Sequence, residues 1–132
     1  MLDYDEAKRW VNLAKRDHAI ALHLRDTFVP LPVETICFHC QQTAEKALKA
    51  VLAYHNADIP KTHDITKLDG LCQEFTDKVQ TDARIAETLT TFAVITRYVE
   101  DRHDFTEDTA QFALKQAKQV LDNVKETLGI TE

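Results

Sequence analysis

Between Val33 and Tyr54 the chain reads Val-Glu-Thr-Ile-Cys-Phe-His-Cys-Gln-Gln-Thr-Ala-Glu-Lys-Ala-Leu-Lys-Ala-Val-Leu-Ala-Tyr, and no other stretch limits the possible folds so strongly. Its apolar positions are Val33, Ile36, Cys37, Cys40, Ala44, Ala47, Leu48, Val51 and Leu52. That spacing follows a helical period with one buried stripe. Gln41, Gln42, Glu45, Lys46 and Lys49 fall between them and are expected to form an opposite, polar face. The inward residues are mostly small, which lets neighbouring helices approach closely. A helix of this kind belongs at the centre of a bundle.

The rest of the chain supplies neighbours for it. Asp3 can cap a first helix with Asp5 and Glu6 in its first turn. The expected stripe there is Trp10, Leu13, Ala14, Ala21, Leu24 and Phe28, stopping before Pro30 and Pro32. Asp17 interrupts it. Either the stripe is rotated and Asp17 lies at its wet edge, or Asp17 is buried against a cation from another helix. After the central helix ends near Asn56, Asp64 can cap a short helix from Ile65 to Phe75. A further helix is expected from about Asp82 to Arg97, with Ile85, Leu89, Phe92 and Thr96 on one side. Thr106 caps the last, whose stripe is Ala110, Ala113, Leu114, Ala117, Val120, Leu121, Val124 and Leu128, with Gly129 closing it.

These segments predict an all-α, antiparallel up-and-down bundle of about five helices, one domain over residues 1–132. Only 2 Gly and 3 Pro leave too few turns for a β-rich fold. The net charge of −6 argues against a general nucleic-acid coat protein, though not against a local basic site. No apolar run of about 18 residues is present to span a membrane. The acidic N-terminus is unlike a signal peptide, so a cytoplasmic location with reduced cysteines is expected.

Cys37-Phe38-His39-Cys40 has the look of a metal or redox motif. A zinc site needs a second ligand pair, and the remaining cysteine is the single Cys72. Both sulfurs fall on the buried stripe, so they read as small core hydrophobes. His39 faces away from that stripe and is expected at the surface or in an interface. A carboxylate-bridged metal centre would need Glu-x-x-His on two helices, and only Glu100 and His103 fit, where the helical period fails. The chain has no Ser to serve as a nucleophile and no glycine-rich phosphate loop. No metal or cofactor is expected.

Arg97 and His103 remain. Histidine can move a proton near neutral pH, and arginine can hold charge developing on phosphorus, which are two requirements of phosphodiester cleavage. A solvated, charged turn is the plain alternative.

Trp10 with Asp17, the run from Cys37 to Ala50, Thr62-His63-Asp64-Ile65 and Arg97-Tyr98 together resemble the HEPN domain family (higher eukaryotes and prokaryotes nucleotide-binding). The resemblance implies a helical bundle that dimerises, often encoded beside a minimal nucleotidyltransferase as the toxin half of a toxin–antitoxin pair. Active members are metal-independent RNases in which Arg, four to six residues and then His meet in a shared cleft. Arg97 and His103, with five residues between them, match that spacing. Arg102 and His63 would add cation near the site, and Asp17 would orient a cation. Tyr98 stands where such RNases usually have a small polar residue, and Phe105 where many carry a modifiable tyrosine. The resemblance therefore leaves two functions open. One is a dimeric RNase, the other a non-catalytic module that binds a nucleotide or a nucleotidyltransferase. A homodimer also has a chemical rationale, since cleavage wants an acid and a base while each chain offers one such histidine beside its arginine.

Overall fold

The computed structural model of the chain describes residues 2–79, 81, 86–90 and 106–131. Its helices are α1 (Tyr4–Thr27), α2 (Val33–Tyr54), α3 (Ile65–Cys72) and α4 (Glu107–Leu128). Residues 86–90 are helical as well, and the described residues contain no strand. The all-α class expected from the sequence is the one found.

Local chemistry explains where the helices begin and end. The Asp3 carboxylate accepts from the Glu6 amide at 3.0 Å, satisfying a donor that the first turn of α1 leaves open. Thr106 does the same for Thr109, and the Thr109 hydroxyl accepts in return from the Thr106 amide. Gly129 closes α4 with φ of 71°, a left-handed conformation that a side chain would strain. The Asp3 amide donates to the Tyr54 carbonyl at 2.8 Å, which places the start of α1 beside the end of α2 and makes the pair antiparallel.

Helix α2 is the centre of the bundle, packed against α1, α3 and α4. Of its 22 residues, 14 are buried, which is more than one stripe can hold. Ile36, Leu48, Val51 and Leu52 fill the core as expected. The expected polar face, however, is buried too: Gln41 is fully enclosed, and Glu45 and Lys49 nearly so. Packing on three sides leaves α2 no broad wet face, so these groups must be satisfied inside the protein.

Helix α1 differs from its expected register. Its buried residues are Ala7, Val11, Ala14, Asp17 and Ala21. Trp10, Leu13 and Leu24 are half-buried at the flank of this line, and Phe28 is exposed. Small side chains take the centre because they allow α1 to lie close on α2. Asp17 sits on the line of closest approach rather than at a wet edge. Helix α3 ends at Cys72, short of the expected Phe75; its cap is Asp64, which accepts from the Lys67 amide at 3.2 Å. Of the helix expected from Asp82 to Arg97, residues 86–90 are described; Ala86 and Leu89 are buried there. In α4 every position of the expected stripe is buried, together with Gln116.

Cys37, Cys40 and Cys72 are buried free thiols. Burial raises all three, Cys37 and Cys72 to about 12, so thiolate is scarce near neutral pH. Among the described residues no group of three or more His, Cys, Asp or Glu could hold a metal ion.

Candidate functional site

The polar residues of α2 divide into two clusters, each built on one buried carboxylate. Asp17 of α1 carries the first. Its Oδ2 accepts from Lys46 Nζ at 2.5 Å, and its Oδ1 pairs with His39 Nδ1 at 2.8 Å. Burial pushes this carboxyl up, but hydrogen bonds from His39 and Lys46 and the charge of Lys46 hold it below its ordinary value. Of the two readings of Asp17, the buried, cation-paired one is correct. His39 also departs from expectation: it is mostly enclosed at 21% exposure, engaged to Asp17, with its ring edge-on to Phe38.

Glu45 of α2 carries the second. Gln41, Glu45 and Lys49 are each one turn apart on α2, so their side chains meet. Glu45 Oε2 accepts from Lys49 Nζ at 3.0 Å, and Oε1 accepts from Gln41 Nε2 at 3.2 Å. The remaining partner comes from the connector after α2: His63 Nδ1 lies 2.7 Å from Glu45 Oε1. Burial again pushes the carboxyl up, and hydrogen bonds from His63, Lys49 and Gln41 outweigh it, leaving Glu45 lowered and ionised. An ionised carboxylate only accepts, so His63 Nδ1 carries the proton and donates it. The Lys49 ammonium also lies over the Trp10 ring, 5.8 Å from its centroid.

The connector is fixed in place on several sides. Gln41 Nε2 donates to the His63 carbonyl at 3.0 Å. The Thr62 hydroxyl accepts from the Asp64 amide, and the Ile65 amide donates to Thr90 Oγ1 at 2.8 Å. Thr90 belongs to the helical segment that precedes Arg97 in sequence. No buried side-chain nitrogen or oxygen among the described residues lacks a hydrogen-bond partner.

An open groove of about 490 Å³ lies between α1 and α4, floored by Leu22 and Leu114 and edged by His18, Arg25, Lys115 and Lys118. Arg25 is bonded to Asp26 and Lys118 to Asp122, so carboxylates answer much of that cation. Burial, then the Lys118 charge, holds His18 below its ordinary value. Sequence reasoning does not find this groove, because its residues lie on two helices far apart in the chain.

Of the sequence-derived site residues, the structure places Asp17 with Lys46 and His63 with Glu45, in separate clusters. The periodicity of α2 identifies neither His39 nor Lys46 as a partner of Asp17, and it assigns Glu45 to the surface, where the structure does not put it. Arg97, Arg102 and His103 lie outside the described residues. No described helix is long and apolar enough to cross a membrane.

Comparison with known proteins agrees with this architecture. The HEPN domain family model matches residues 7–127. Two crystal structures have the same fold. TT1696 from Thermus thermophilus superposes with a TM-score of 0.75 at 23% identity, covering 92% of this chain and 98% of that one. ST0689, an archaeal HEPN homologue, gives 0.65 at 24% identity, covering 94% of this chain and 98% of that one. No curated protein matches by sequence.

Proposed function

Because the chain belongs to the HEPN domain family, we propose that it acts as a dimeric, metal-independent RNase of the toxin type, partnered by a minimal nucleotidyltransferase. The observation that carries the reading is the Arg97–His103 pair, which has the family's RNase spacing and falls inside the matched residues. In the proposed reaction the RNA 2′-hydroxyl attacks the adjacent phosphate. Arg97 steadies the charge that develops on phosphorus, and His103 transfers a proton. A two-fold axis supplies two copies of each group to one cleft.

Purified protein incubated with RNA tests this. Cleavage should persist in chelator and fall on the order of a hundredfold or more in His103→Ala. Light scattering at micromolar concentration should give the mass of a dimer. A second reading, a non-catalytic nucleotide-binding or nucleotidyltransferase-accessory module, is favoured by Tyr98 and Phe105. Wild-type protein that cleaves no RNA yet binds a nucleotide or the transferase would establish that reading instead.

A further inference from the structure

We infer that the open groove between α1 and α4 is a docking face for a second copy of this chain, the two copies packing groove to groove about a two-fold axis. The inference rests on the dimer in the reading above and assigns it a surface.

The bundle leaves this face uncovered. Helices α1 and α4 touch each other and both pack on α2, and among the described elements α3 packs chiefly on α2. Leu22 and Leu114 floor the groove, whose volume of about 490 Å³ opens to solvent. Phe112, one residue from Gln111 of the groove wall, adds exposed apolar surface to α4. A patch that is apolar at its centre and charged at its margin is the usual anatomy of a protein contact. Its size is adequate too. Two neighbouring helices of 24 and 22 residues present a face about 30 Å long and about 20 Å wide. With its relief counted, that face is comparable with the roughly 800 Å² each partner buries in a standard interface.

The rim selects the occupant. Arg25 donates to Asp26 at 2.7 Å, and Lys118 donates to Asp122 at 2.5 Å. Both pairs are exposed at both ends, so each is weak and can re-pair across an interface at little cost. Lys115 is exposed and has no carboxylate partner among the described residues. His18 on the groove wall is held below its ordinary value by burial and by Lys118, so it adds little cation at neutral pH. A purely anionic partner, RNA included, would meet Asp26 and Asp122. A cationic one would meet Arg25, Lys115 and Lys118. A surface with both signs side by side suits a partner with the same alternation. A two-fold axis supplies that partner, laying the patch against its own copy in reverse so that lysine faces carboxylate.

The test measures dimer dissociation of the full chain by analytical ultracentrifugation, with folding checked by circular dichroism and thermal unfolding. One variant carries Lys115→Glu and Lys118→Glu, which makes its rim acidic. The other carries Asp26→Lys and Asp122→Lys, which makes its rim basic. Each alone should weaken dimerisation on the order of a hundredfold, because like charges then face each other across the axis. An equimolar mixture of the two should form a heterodimer within about tenfold of the wild-type affinity. Lys67→Glu with Lys78→Glu, the same change of net charge on and just after α3, should dimerise as wild type does. Groove variants as dimeric as wild type would put the dimer on another face and leave the groove to a different partner, which overturns this inference alone. Weakened variants that form no heterodimer when mixed overturn it as well. A wild type that is monomeric at micromolar concentration overturns the dimer reading and the inference with it.

Discussion

Asp17 and Glu45 are both buried carboxylates kept ionised by a lysine and a histidine, yet the clusters around them end differently. Both partners of Asp17 stand on α2, so that cluster fastens α1 to α2 and stops there. Glu45 takes its lysine from its own helix and its histidine from a connector, where the imidazole reaches solvent. The chemistry of the two carboxylates is nearly the same. What separates them is the element to which the second partner is attached, and how far its imidazole is exposed, 21% for His39 against 59% for His63.

Acid should disturb both clusters together and give the largest effect. Both carboxyls are lowered in the fold, so each contributes stability that is present above the ordinary carboxylate value of about 4 and is lost as pH falls through the folded value. His18 and His55 are lowered as well, chiefly by burial, so their contribution begins to fade below about pH 6.5. All four act in one direction. Denaturant unfolding should therefore show stability declining from neutral pH and dropping steeply below about pH 4. A stability unchanged down to pH 3 would mean that neither cluster is formed.

Single substitutions should then separate the two. Asp17→Ala strands the Lys46 ammonium between helices and should cost about 3 kcal/mol, read from a urea midpoint at pH 7. Glu45→Gln leaves Lys49 facing a neutral amide and should cost about 2 kcal/mol. Equal losses of stability in the two variants would erase the distinction drawn between them. His63→Ala removes an exposed group and should cost about 1 kcal/mol or less, because Lys49 and Gln41 still satisfy Glu45.

How far the sequence can be read depends on how many neighbours each helix has. Helix α4 buries one stripe, and its apolar period, Thr106 cap and Gly129 stop are all legible. Helix α2 has packing on three sides, so a reading that gives an amphipathic helix one wet face misjudges Gln41, Glu45 and Lys49. In α1 the heavy residues Trp10, Leu13 and Leu24 draw the stripe toward themselves, whereas close approach to α2 selects Ala7, Ala14 and Ala21. Asp17 is recognisable as an interruption, but its partners lie 22 and 29 residues away, beyond any local period. The Glu45–His63 pair is hidden for the same reason, at a separation of 18 residues. Both of its members are visible in the family-like motif, without any sign that they touch.

The central claim is that the ionised Glu45 carboxylate holds the His63 ring through a proton on Nδ1. Long-range ¹H–¹⁵N spectra of the His63 ring at mildly alkaline pH measure that directly. The account predicts a single Nδ1-protonated tautomer in the wild type, with the preference lost in Glu45→Gln. An Nε2-protonated ring, or a mixture of tautomers in the wild type, would contradict it.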